Sequence, residues 1–332
     1  MHLLKNQEIS SEGWSTLITI SPYSSIFQSQ LFYDLCNEVP GISADAFALE
    51  EDKNLIALCV VILLKEPGIK GYFSRRAIVY GGPVLKEKDS ESCLEYLITS
   101  VTNEFIKKSI YIEIRNLNNY DIVQDVFLRN GWKYIPYQNF HVDCSDKMQL
   151  YNRLGNNRKR EIKKAINSGV TIKEAEDISE ISEFYIILQK LYNQKIKKPL
   201  FSKKFFEMIF IKEFGKYFLV IYDKKIIGGI ICPILKGKYI YEFYVCGQDE
   251  EYKEQYPSTM ATWAAMEFAN NNHIPIFDFM GAGIKGLDYG VRDYKSRFGG
   301  ELVEYGRFIK IANPILYKIG RFVLKFIKLI KA

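Results

Sequence analysis

Apolar residues in this chain fall into short β-branched runs and longer amphipathic ones, and the two kinds come twice in the same order. Residues 46–50 and 55–64 predict two strands joined by the polar turn Glu51-Asp52-Lys53-Asn54. A third strand over 72–80 is broken by Gly81-Gly82-Pro83. Leu94, Leu97, Ile98, Val101 and Phe105 recur at three- and four-residue steps and predict a helix over 89–108. A strand over 110–115, a helix over 120–129 stopped by Asn130-Gly131, and a strand over 132–142 complete the set; an entry segment with a helix over 29–37 precedes it.

The order returns after two lead-in helices, the first opened by Asp177 with Glu180, the second by Ser202. Strands over 217–222 and 226–235 flank the turn Asp223-Lys224-Lys225, and Lys236-Gly237 leads to a strand over 238–246. Then come a helix from Pro257, a strand over 274–280, a helical segment before Phe298-Gly299-Gly300, and a last strand over 301–311. Hairpin, strand, helix, strand, helix, strand is read twice. The expected fold class is therefore α/β, with two copies of one unit, each a mixed sheet flanked by helices. The expected division is a first domain over 1–150, a second over 151–311, and a C-terminal segment over 312–332.

Length changes little in this picture: 332 residues, 48% hydrophobic, suit two globular domains. Formal net charge is +6, a mild excess compatible with phosphorylated partners or an anionic membrane surface. Cys36, Cys59, Cys93, Cys144, Cys232 and Cys246 form no Cys-x-x-Cys pair and read as reduced thiols. Three scattered histidines, His2, His141 and His273, argue against a zinc site or a Ser-His-Asp triad, so no metal is expected. A cytoplasmic protein is expected, since no signal segment opens the chain and no apolar run reaches the ~18 residues of a membrane span.

Charge becomes informative in three places. Asp278 is the one carboxylate in an otherwise apolar strand, and a buried carboxylate needs a partner or a proton. Lys295 and Arg297 lie just downstream and are the expected partners, in a catalytic site or in a structural ion pair closing the loop. Arg158, Lys159, Arg160, Lys163 and Lys164 crowd one short helix with only Glu161 opposing, as a solvated linker or an anion-binding face. Finally, Ile315, Ile319, Phe322, Val323, Phe326 and Ile330 share one helical face after Asn313-Pro314, with Lys318, Arg321, Lys325, Lys328 and Lys331 opposite and no acid present. Such a helix suits an anionic membrane surface or packs on the first domain with its cations in water.

The spaced set Tyr80-Gly81-Gly82-Pro83, residues 157–165 followed by Gly169-Val170, Phe277-Asp278-Phe279 with Gly281, and Tyr294-Lys295-Ser296-Arg297-Phe298-Gly299 resembles the Fem family of peptidoglycan interpeptide-bridge aminoacyltransferases. The resemblance covers roughly residues 24–310. It implies two acetyltransferase-like (GNAT-like) domains in tandem, here without the coiled-coil arm some members carry. It implies transfer of an amino acid from aminoacyl-tRNA to an amine of a lipid-linked or UDP-linked peptidoglycan precursor, with no cofactor. By the same match Tyr294-Lys295 would hold the donor or the charge that develops in transfer, with Gly281 and Arg297 beside it. Arg158 and Arg160 would clamp the precursor's diphosphate. Asp278, Tyr244 or Tyr256 would take the acceptor's proton, and spacing does not choose among them.

Related proteins resemble acyl-CoA N-acyltransferases acting on amino sugars of cell-surface polysaccharides. In that fold the CoA diphosphate meets a glycine-rich strand-to-helix loop. The matching loop here, residues 246–255, has one glycine and four acids, which disfavours a diphosphate. A non-catalytic protein holding a glycan precursor or tRNA is the third reading.

Overall fold

A computed structural model describes residues 1–66, 68 and 70–330, with side chains for all of these but Lys70 and residues 323–330. The chain divides into two compact units, residues 1–136 with 305–332, and residues 137–304. Each holds one mixed sheet and its own apolar core.

In the first unit β1 (His2–Lys5), β2 (Ile42–Glu51) and β3 (Asn54–Leu64) pair antiparallel in that order. β4 (Arg76–Gly81) follows β3 antiparallel, and β5 (Val84–Leu85) also pairs with β3. β6 (Tyr111–Asn116) lies parallel to β4, because the Glu91–Phe105 helix carries the chain back across the sheet. β7 (Lys133–Ile135) is reached through a returning strand that pairs with both β6 and β7.

The second unit repeats the scheme. β8 (Tyr137–Asp143) opens it; β9 (Thr171–Glu174), β10 (Gly215–Tyr222) and β11 (Lys225–Leu235) form an antiparallel run. β12 (Tyr239–Tyr241) and β13 (Tyr244–Gly247) both pair with β11. After the Pro257–Asn271 helix, β14 (Ile276–Asp278) lies parallel to β12 and antiparallel to β8. β15 (Gly283–Ile284) and β16 (Glu301–Glu304) also pair with β8, and β17 (Arg307–Ile311) is the strand that returns to the first unit.

Three expected strands are thus broken, each for a local reason. The run 132–142 splits at Pro136, which has no N–H for a ladder, and its halves serve different units. The run 301–311 splits at Tyr305-Gly306, with Gly306 at φ 65°, so residues 305–311 belong to the first unit rather than to the expected second domain. The domain boundary accordingly falls at 136/137, not at 150, and residues 312–330 belong with the first unit. The run 238–246 splits at Glu242-Phe243, with consequences described below. Residues 72–74 are helical, in Lys70–Ser74, and that strand starts only at Arg76.

The returning strand is fastened by charge as well as by its ladder. Arg307 Nη1 donates to Glu113 Oε1 at 3.0 Å, and Arg115 Nη2 donates to Glu113 Oε2 at 2.8 Å. Burial pushes the Glu113 carboxyl up, but the two guanidinium charges overcome it and hold the pKa at about 2.

Candidate active site

β12 and β13 are one strand interrupted at Glu242-Phe243. Before the interruption, β12 lies between β11 and β14; after it, β13 pairs with β11 alone. The sheet therefore forks at Glu242, whose N–H makes the last rung to Asp278 O at 2.8 Å. Lys295 closes this fork. Its Nζ pairs with Glu242 Oε1 at 2.9 Å on one prong and donates to the carbonyls of Phe279 at 2.7 Å and Gly281 at 3.0 Å on the other. Lys295 is 9% exposed, and its three N–H donors match these three acceptors. Thr262 Oγ1 donates to Glu242 Oε2 at 3.2 Å from the helix behind. Burial raises the Glu242 pKa, and the Lys295 charge and its hydrogen bond offset this only in part.

Asp278 lies elsewhere. Phe277 and Phe279 enter the core beside Ala261 and Ala265, and strand alternation sends Asp278 to the opposite face. There it is fully buried and accepts from Asn139 Nδ2 at 2.6 Å and from the N–H of Met280 at 2.6 Å, while His141 Nε2 lies at 3.0 Å. Burial lowers the His141 pKa, but the Asp278 charge and hydrogen bond outweigh it and the net shift is upward. The expected pairing of Asp278 with Lys295 or Arg297 is therefore corrected: Lys295 takes Glu242, and Arg297 is exposed at a helix end, its carbonyl accepting from Gly155 N at 2.9 Å.

The two clusters meet at one turn. Gly281 N–H donates to Asn139 Oδ1 at 2.7 Å while its carbonyl accepts from Lys295. Its φ of 134° is one that side chains avoid, and a Cβ there would lie 2.9 Å from the Tyr137 ring. The turn 278–281 is thus held from the Asp278 side by Asn139 and from the fork side by Lys295.

Arg158 is also corrected. It is buried, ion-paired with Glu161, and donates to Thr259 Oγ1 at 3.2 Å. Its guanidinium carbon sits 4.2 Å from the Tyr294 ring centroid and 4.9 Å from that of Phe298. So placed, it locks the Asn156–Asn167 helix to the Lys295 segment and has no fork to offer a diphosphate; Arg160 is the exposed arginine of that helix. The Tyr294 hydroxyl is buried near Thr259 without a well-formed hydrogen bond, and burial raises its pKa. Tyr256 occupies the left-handed position, φ 45°, immediately before Pro257. Tyr244 packs among Tyr192, Phe206 and Phe243, at centroid distances of 5.9, 5.1 and 4.8 Å.

Glu242, His141 and Asn139 escaped the sequence reading. Glu242 carried the same signal as Asp278, a single acid within an aromatic strand, residues 239–244. The strand-to-helix loop shows where its acids go. Asp249 Oδ1 accepts from Ser258 N at 3.1 Å, and Asp249 Oδ2 accepts from the Ser258 hydroxyl, so a carboxylate of the chain already occupies the start of the Pro257–Asn271 helix.

The FemAB family model matches residues 234–325, a stretch that contains the fork and Lys295. No curated protein matches the chain. Among solved structures the chain is similar to one described as FemX, at 14% identity over 96% of this chain and 99% of that one, with a TM-score of 0.73. It is similar to a tandem GNAT protein from the clavulanic acid biosynthesis pathway, solved without AcCoA, at 10% identity over 94% and 99%, TM-score 0.60. It is also similar to L-PGS from Bacillus licheniformis, at 10% identity over 94% and 96%, TM-score 0.58. At these identities the likeness shows the fold, two GNAT-like units in tandem.

Proposed function

We propose that this Fem-family chain, with its tandem GNAT-like fold, is an aminoacyltransferase that joins an amino acid from aminoacyl-tRNA to an amine of a peptidoglycan precursor. The observation that carries the reading is the buried Lys295–Glu242 pair closing the fork of the second sheet. In the reaction the acceptor nitrogen bonds to the ester carbonyl carbon, a tetrahedral oxyanion forms, and the ester C–O bond breaks. The ribose hydroxyl leaves with a proton, and the new amide nitrogen gives one up. A fixed cation in a low-dielectric fork favours the oxyanion, and its effect is larger there than in water. Lys295 acts by trading its longest bond, to Gly281 O, for the donor oxygen. Tyr244 and Tyr256 are the candidate proton acceptors; Asp278, turned to the opposite face of its strand, holds the turn 278–281 instead.

The likeness to a tandem GNAT protein supports a second reading, acyl transfer from a CoA thioester. Asp249 weighs against it, since it fills the helix start where a diphosphate would need free N–H groups. The test offers the chain a pool of charged tRNAs with UDP-linked and lipid-linked pentapeptide precursors and reads the acceptor's mass. A shift of one amino-acid residue that Lys295→Met abolishes is the expected result. An acyl product made from a CoA thioester instead overturns the donor assignment. No product from either donor, with saturable precursor or tRNA binding, makes the chain a binding protein.

A further inference from the structure

We propose that the first unit carries a bilayer-docking surface, built from the Lys70–Ser74 and Pro314–Ile330 helices, that takes an anionic lipid surface. The two helices are neighbours within that unit. The Pro314–Ile330 helix turns one apolar side inward: Leu316 and Tyr317 are half-buried, and the Tyr317 ring meets Tyr111 edge-on at 5.5 Å. A second apolar side faces out. Ile315 is 72% exposed, Ile319 46% and Phe322 70%, and these lie on one stripe at four- and three-residue spacing. Val323, Phe326 and Ile330, which the sequence assigns to this face, lie outside the described side chains. Tyr72 and Phe73, on the neighbouring helix, are 52% and 54% exposed and pack edge-on at 5.2 Å. Large apolar side chains exposed at this density on two adjoining elements mark an interaction surface.

The charges choose the partner. Residues 313–332 hold five cations, Lys318, Arg321, Lys325, Lys328 and Lys331, and no acid. Arg75, beside Tyr72 at 4.7 Å from its ring, adds another. Two copies of this chain meeting through the stripe would bring like charges together, which opposes self-association. A nucleic acid would use the cations and leave the stripe wet. An anionic bilayer uses both, with the stripe among the acyl-chain boundary and the cations at the headgroups. Among the described residues no helix is long and apolar enough to cross a membrane, and the five cations spaced through residues 318–331 suit a helix lying in the bilayer surface. The inference stands apart from the acyl-transfer reading and is tested without any activity.

The full chain is sedimented with vesicles of phosphatidylcholine alone, and with vesicles of equal parts phosphatidylcholine and phosphatidylglycerol, at low and high salt. Binding only to the anionic vesicles, weakened by salt, is expected. Lys318→Glu with Arg321→Glu lowers affinity at least about tenfold, since each nearby cation is worth about fivefold. Ile319→Ser with Phe322→Ser, and separately Tyr72→Ser with Phe73→Ser, each weaken binding while far-UV circular dichroism and the thermal midpoint stay unchanged. Phe322→Trp provides a reporter whose emission shifts to the blue with anionic vesicles. A natural chain that stays in the supernatant overturns the proposal, as do serine variants that sediment like it. A concentration-dependent dimer that Ile319→Ser with Phe322→Ser dissociates assigns the surface to self-association and overturns it equally.

Discussion

Removing either partner of the Lys295–Glu242 pair should cost more stability than removing both. Lys295→Met leaves the Glu242 carboxylate, 3% exposed, with only Thr262 beside it; Glu242→Gln leaves the Lys295 ammonium with two backbone carbonyls and no counter-charge. An uncompensated buried charge of this kind costs about 3–5 kcal/mol. In the double variant neither charge is present and the glutamine amide keeps the Thr262 contact, so what remains is the stranding of the Phe279 and Gly281 carbonyls, about 1–3 kcal/mol and less than either single loss. Because the chain has two units, unfolding should be followed in one of them. With Trp14 and Trp132 replaced by Phe, Trp263 is the sole tryptophan and belongs to the second unit. Activity should not follow stability. If Lys295 stabilises the oxyanion, the double variant stays about 10²–10³-fold down in turnover despite its recovered fold. A double variant that regains both fold and turnover refutes the catalytic role and leaves the pair as a structural staple. Single variants as stable as the natural chain refute the pair itself.

Glu113 sets the acid limit of the first unit. Its folded pKa, about 2, lies below the ordinary 4.5, so its stabilisation is present above about pH 4.5 and is lost as pH falls toward 2. A shift of that size corresponds to about 3 kcal/mol, and Glu113→Gln should flatten the acid limb of a stability-against-pH curve; an unchanged limb contradicts the Arg115–Glu113–Arg307 fastening. Tyr120→Phe, which strands the carbonyls of Pro83 and Gly81, should cost about 1–3 kcal/mol in urea unfolding with turnover unaffected. Coenzyme A should leave the thermal midpoint of the natural chain in place, while Asp249→Ser should open the helix start to inorganic phosphate, seen as a salt-sensitive midpoint rise. Saturable stabilisation of the natural chain by coenzyme A contradicts the capping argument.

The doubled element order, legible from periodicity, survives in the structure because each strand–helix alternation is a local property of its own residues. Asp177 opens its helix as the N-cap pattern implies, accepting from Ser179 N at 2.7 Å and Glu180 N at 3.2 Å. Ser202 holds the N-cap position with no side-chain bond, so composition placed the helix start without describing its chemistry. What periodicity cannot carry is which sheet a strand joins. Residues 132–142 and 301–311 each read as one apolar run, yet each changes unit midway, at Pro136 and at Tyr305-Gly306. Partner choice fails for a related reason. Asp278 and Lys295 look matched by proximity in sequence, but alternation turns Asp278 away, and Glu242, 53 positions before Lys295, arrives instead because a parallel pair joins strands distant in sequence.

The fork itself occurs twice, and the two are closed by different chemistry. In the first unit β4 lies between β3 and β6, and beyond Gly81-Gly82-Pro83 β5 pairs with β3 alone, the same divergence as at Glu242. There the opening is filled by Tyr120, which follows β6 as Lys295 follows β14. Its hydroxyl donates to Pro83 O at 2.6 Å and lies 3.3 Å from Gly81 O, and the ring is 2% exposed. Gly82, at φ 83°, has no Cβ because one would lie 2.4 Å from the Tyr120 hydroxyl. A neutral phenol bonded to two carbonyls plugs a fork and carries no charge to any reaction. The second unit meets the same need, satisfying backbone carbonyls exposed where strands part, with an ammonium and a carboxylate. An ion pair is the costlier solution, since both charges must be desolvated, whereas a phenol hydroxyl brings a donor without a charge. The first unit shows that this scaffold closes such a fork without charge, so closing the fork does not by itself account for the cation at Lys295, and the turnover of the double variant decides what does.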